Sequence, residues 1–190
     1  AWKAFVLALP FPFTLATLSL GGEVTASHFA GLILLLGYMH GVRLLVRRAG
    51  WPAASAIGLC ALAYSITASA LYPLIPRTSV AFWLMGLLAA GVGLVVFLLF
   101  PAPEEPGHRT SLPFWIKVPI ILVVILFLVA LKKRLGGFMA TFPMVSVVGV
   151  YESRYSLATT CRQTAWLVLG MACMIAVIRL TQGVDHVTGI

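Results

Sequence analysis

Charge is what this sequence has least of. Only 9% of its 190 residues are Asp, Glu, Lys or Arg, against roughly 25% in a soluble globular domain. A globule this small needs a polar shell, so the shortage excludes an ordinary soluble fold. Acidic residues are scarcer still: five Asp and Glu stand against thirteen Lys and Arg, for a formal net charge of +8. That excess does not indicate nucleic acid as a partner. The basic residues sit at the ends of apolar runs, which is the pattern of loops beside anionic lipid. Cysteine is also rare. Cys60, Cys161 and Cys173 all lie within apolar runs, with no CxxC or Cys/His spacing, which argues against a disulfide framework or a zinc site. A Gly-rich phosphate loop, GxSxG and HExxH are missing too. The adjacent Glu104 and Glu105 cannot converge as an acid/base pair and read as solvated. No enzyme activity, metal or cofactor is expected.

What is present is hydrophobicity: 61% of the residues, with a mean hydropathy of +1.05. A helix needs about 20 apolar residues to cross a bilayer, and runs of that kind recur along the chain. The expected class is all-α, a polytopic transmembrane helix bundle of about seven membrane segments. The first covers about 2–20, kinked by Pro10 and Pro12, and the second about 27–47, ending in RLLVRR. The third covers about 52–75 and the fourth about 79–100, where GLLAAGVG offers small residues for close helix contact. The long polar stretch PAPEEPGHRTSLP follows, with four of the eleven prolines. It divides a first half of four helices (1–100) from a second of three (113–190), with 101–112 as linker. The fifth segment covers about 113–133, the sixth begins at Gly137, and the seventh covers about 157–180. Starting at Ala1 rather than Met fits a fragment or a trimmed chain, whose terminal helices are then incomplete.

Each half has a long helix, a Gly-Gly pair (Gly21–Gly22, Gly136–Gly137), a second helix and a third. An internal duplication is one reading of this order, and duplicated halves are common in transporters. If all seven segments cross, eight basic residues (Lys3, Arg43, Arg47, Arg48, Arg109, Lys117, Arg154, Arg162) share one side. Five (Arg77, Lys132, Lys133, Arg134, Arg179) share the other. The positive-inside rule then places the N-terminus in the cytoplasm, although the cluster KKR opposes it.

The stretch GGFMATFPMVSVVGVYESRYS, 136–156, is the least ordinary. From Gly137 to Tyr151 a helix would span about 22 Å, short of a hydrocarbon core of about 30 Å. Pro143 removes a backbone donor in mid-run, and Thr141 and Ser146 could satisfy freed backbone groups. The segment is either a short kinked span, the favoured reading, or a re-entrant hairpin. Together with the following LATT, it resembles the core of the GlpM-like family of small bacterial inner-membrane proteins. Gly137, Phe142, Pro143, Glu152, Arg154, Leu157, Thr159 and Thr160 carry the resemblance, which covers about 115–180. It implies a non-catalytic, multi-pass protein of the bacterial inner membrane, linked to envelope exopolysaccharide (alginate) production. A small transporter or permease-like protein for an anionic or polar solute is the alternative, and an intramembrane enzyme the second alternative. Membrane lipid, a homo-oligomer or an envelope-assembly complex are the partners this implies.

The substrate-binding candidates are Glu152, Arg154, Arg162, Gln163, Thr141, Ser146, Pro143 and His40. Intramembrane ionisable groups tend to be functional, which singles out Arg162 with Gln163 on the seventh segment, and His40 on the second. The expected arrangement has Pro143 bending the sixth helix. Thr141, Ser146 and the Glu152–Arg154 end would then line a polar cleft against the seventh, near Arg162. The competing readings are bland: Glu152 and Arg154 solvated at an interface, His40 packed, and Pro143 a bare structural kink. Tyr64, Ser65, Thr67, Ser69 and Tyr72 form a polar stripe that either bonds backbone or lines a cavity.

Overall fold

A computed structural model describes residues 24–100, 105, 113–142 and 144–188. The first expected segment and most of the linker lie outside these residues, as does Pro143. The described elements are all helical: α1 (Ala26–Arg47), α2 (Ala53–Leu71) with a 3-10 turn at Tyr72–Leu74, and α3 (Ser79–Leu99). Then follow α4 (Phe114–Leu135), α5 (Phe138–Thr141), α6 (Met144–Glu152) and α7 (Leu157–Thr188). Four of them are long and apolar enough to cross a membrane: Ala26–Arg47, Ala53–Leu74, Ser79–Leu99 and, within α7, Leu157–Leu180.

Helix α1 is the centre of the bundle, with buried side chains on every face. Its start is held by a local bond: the Thr25 N–H donates to Nδ1 of His28 at 3.1 Å. One side of α1, with Leu35, Tyr38, Met39 and Val42, packs on Ala56, Ile57, Tyr64 and Ala68 of α2, and on Phe138, Phe142 and Val150 of α5 and α6. Another side, with Phe29, Leu32 and Leu36, packs on Phe82 and Ala89 of α3, and on Ala165, Val168 and Ile175 of α7. Helices of both halves thus share one core. Large apolar side chains also point outward, among them Leu59, Leu62 and Ile66 on α2 and Leu84, Leu87 and Leu98 on α3. Between helices in lipid, van der Waals contact must supply what the hydrophobic effect supplies in water. The small residues of α3 allow it: a Cβ at Gly86 would lie 3.1 Å from the Phe29 ring, and one at Gly93 3.2 Å from Val168.

The stretch 136–156 is interrupted rather than bent. Helix α5 lasts four residues, Phe142 is extended (φ −58°, ψ 136°), and α6 starts at Met144. The cause is legible in sequence order: the ring of Pro143 crowds the residue before it out of the helical region. The Gly-Gly pair sets the entry. Gly136 turns the chain at φ +49°, where a side chain would be strained and would also meet the Tyr72 ring. A Cβ at Gly137 would run into Ser27 and His28 near the start of α1. At the far end, the Tyr155 carbonyl accepts from Arg47, the last residue of α1, at 3.1 Å. Ser27 and Arg47 are about 30 Å apart along a helix rising 1.5 Å per residue. The two ends of the stretch therefore lie at opposite ends of α1, while its α6 part packs on α2 and α4.

Candidate functional site: an arginine cavity at one end of the bundle

Where the α1–α2 connection meets the α6–α7 connection, the bundle end holds a cavity of about 310 Å³. It is lined by Val46, Arg47, Ala53, Arg154 and Tyr155. Arg47 is at the C-terminal end of α1, where its charge suits the helix dipole. Its Nη2 donates to Oε1 of Glu105 at 2.7 Å and to the Tyr155 carbonyl at 3.1 Å. Arg154 sits in the turn between α6 and α7 with its guanidinium over two rings, 4.9 Å from the Tyr151 centroid and 4.7 Å from that of Tyr155. Its Nη1 donates to the Tyr151 carbonyl at 3.2 Å. A guanidinium has five N–H donors in a planar fork, so the single bond to the Tyr151 carbonyl leaves Arg154 donors for a guest. The turn beneath is stiffened by the Ser153 hydroxyl, which donates to the Gly149 carbonyl at 2.7 Å.

Glu105 corrects the solvated reading of the linker acids. Its side chain is only 11% exposed. Its Oε2 accepts from the Thr159 N–H at 3.0 Å and from the Thr159 hydroxyl at 3.1 Å. Thr159 lies in the first turn of α7, whose backbone N–H groups have no partner within the helix. The carboxylate supplies one and meets the positive end of the dipole. Glu105 thereby ties the linker to α7 and, through Arg47, to α1. Its neighbour Glu104 lies outside the described residues.

The sequence candidates end up in different places. Arg154 lines the cavity, and Glu152 is half-buried at the end of α6 nearby. Thr141 is buried at the other end of the α5–α6 stretch. Its hydroxyl donates to the Phe138 carbonyl at 3.2 Å and lies 3.1 Å from the Tyr64 hydroxyl, which itself lies 3.1 Å from the same carbonyl. Arg162 lies on α7 with its guanidinium 4.7 Å from the Phe97 ring of α3, and Gln163 beside it is exposed. His40, on α1, has its ring 4.8 Å from that of Phe100. Pro143 and the side chain of Ser146 lie outside the described residues. The expected single cleft is therefore not what forms. The break at Phe142 lets α5 turn Thr141 under Tyr64, and Arg162 faces α3. In the polar stripe of α2, Tyr64 bonds backbone as above and Ser65 donates to the Ala61 carbonyl at 2.9 Å, while Thr67 is exposed. Sequence reasoning missed Arg47, Tyr155 and the anchoring role of Glu105.

Among the described residues, no three His, Cys, Asp or Glu side chains gather closely enough to hold a metal ion. What the arrangement offers an anion is the Arg154 guanidinium, beside a tyrosine ring, two apolar side chains and an Arg47 already paired with Glu105. No protein-family model, curated protein or solved structure matches the chain. The likeness to GlpM-like proteins thus rests on its motif residues alone. The class defined by the fold is a helical protein with four helices able to cross a membrane.

Proposed function

We propose that the chain is a non-catalytic, multi-pass membrane protein that holds an anionic group, a carboxylate or phosphate, in the Arg47–Arg154 cavity at one membrane face. The observation that carries this reading is Arg154, with its charge over the Tyr151 and Tyr155 rings, lining the same cavity as Arg47. Paired guanidiniums recognise carboxylate and phosphate by forked hydrogen bonds. In the envelope reading, with the bacterial inner membrane as the setting, the guest is an acidic glycan or its precursor and the protein is an accessory of polysaccharide assembly. The acidic character of a uronate polymer suits two arginines. With seven spans, the cavity end carries Arg43, Arg47, Arg48, Arg154 and Arg162, so the positive-inside rule makes it the cytoplasmic face.

A second reading, a permease for an anionic solute, draws on the interruption between α5 and α6. Broken helices often line transport sites in membranes. Proteoliposomes loaded with radiolabelled glucuronate or phosphate separate the two. Saturable flux that Arg154→Gln abolishes supports the permease. Binding without flux supports the accessory. Neither binding nor flux for either anion overturns the site.

A further inference from the structure

We infer that Arg43 and Arg162 form a second site, which takes the phosphate of an anionic membrane phospholipid at the edge where α1, α3 and α7 meet. Arg43 sits 5.3 Å from the centroid of Phe100, and Arg162 4.7 Å from that of Phe97. The two rings are one helical turn apart at the end of α3. The Cys161 thiol, next to Arg162, donates at 3.4 Å to the carbonyl of Met39, one turn before Arg43, so the α1 and α7 residues concerned are neighbours. Both arginines are half-buried, and neither is paired with a carboxylate among the described residues. The Nε of Arg162 is covered and has no hydrogen-bond partner. Stacking on an aromatic face attracts a guanidinium but does not neutralise it. Two such charges against lipid need a counter-ion, and the described residues supply none in contact with them.

Depth and surroundings select the counter-ion. Arg43 is four residues before the end of α1 and Arg162 five after the start of α7, about 6 and 8 Å into their helices. The bond from Arg47 to the Tyr155 carbonyl sets these two helix ends level. Both residues thus leave their helices about one to two turns below the bundle end, within reach of a lipid headgroup for a long arginine side chain. The adjoining surface is apolar: Leu44 on α1 and Val95, Leu98 and Leu99 on α3 are 50, 52, 68 and 69% exposed. An occupant must bring hydrocarbon as well as negative charge. Trp166 stands 5.6 Å from Phe97 and is 45% exposed, as suits a side chain of the membrane interface.

The test is a titration of the purified protein in nonionic detergent with phosphatidylglycerol and with phosphatidylcholine, read by native mass spectrometry. The phosphatidylglycerol adduct should form at least tenfold more tightly. In Arg43→Gln/Arg162→Gln the two lipids should become equal, whereas Arg77→Gln, at the opposite end beside Tyr72, should retain the preference. If the double variant fails to fold, Arg162→Lys in otherwise native protein replaces it. That variant keeps the charge and loses the fork, and its phosphatidylglycerol affinity should fall severalfold. Equal binding of the two lipids to the native protein overturns the inference, as does an unchanged preference in these variants. Displacement of the lipid by millimolar inorganic phosphate or glycerol 3-phosphate overturns the lipid as the source of the phosphate.

Discussion

Replacing Glu105 with Ala should loosen the seam between α1 and α7. Three contacts are lost: the 2.7 Å ion pair with Arg47 and two bonds from Thr159. The Arg47 side chain is 49% exposed, so this pair contributes little, about 0–1 kcal/mol. The bond from the first-turn N–H behaves as a helix cap, worth about 0.5–2 kcal/mol, and the dipole attraction of about 0.3–1 kcal/mol overlaps it. The expected loss is about 1–3 kcal/mol, dominated by Thr159 rather than by the ion pair. Unfolding in mixed micelles, followed by circular dichroism against the mole fraction of dodecyl sulfate, measures it. A double-mutant cycle with Arg47→Gln should then give a coupling below about 1 kcal/mol. A loss within about 0.5 kcal/mol, as at an ordinary surface site, would refute the capping argument and restore the solvated reading of this residue.

Gly31→Ala should cost about 1–3 kcal/mol by overpacking, because its Cβ would run into Thr141 Oγ1 and lie 3.2 Å from the Tyr64 hydroxyl. Thr141→Ala should recover part of that loss in the double variant, and the same micelle titration reads both. Gly136→Ala should destabilise by at least about 1 kcal/mol, since φ is +49° and the Tyr72 ring fills the space. Tyr72→Ala in the same chain should relieve the clash but not the backbone strain, so recovery in that assay should be incomplete.

How much of this was legible in the sequence depends on the kind of signal. Apolar length marked α1, α2, α3 and the Leu157–Leu180 part of α7 to within a few residues, because a bilayer imposes a minimum run; that α7 continues to Thr188 was not expected. The Phe-Pro pair marked the interruption at Phe142, because a proline acts on its immediate neighbour. The burial of Thr141 was not legible. It depends on Gly31 and Tyr64, dozens of residues away, which together leave a slot for one hydroxyl. Arg154 was visible as a charge at a helix end, but its companion is Arg47, more than 100 residues earlier, and only the meeting of the α6–α7 turn with the end of α1 joins them. Glu105 looked like any solvated loop acid, since nothing local tells which helix end a linker carboxylate will reach.

The cavity's claim to an anion rests most heavily on Arg154. Isothermal titration of lipid-free protein in nonionic detergent with glucuronate, inorganic phosphate and glucose tests it directly. Glucuronate or phosphate should bind while glucose does not, and Arg154→Gln should weaken that binding at least tenfold, about 1.4 kcal/mol, with helix content unchanged. Equal affinity of the native and Arg154→Gln proteins for the anion, or binding of glucose as tight as glucuronate, would contradict the assignment.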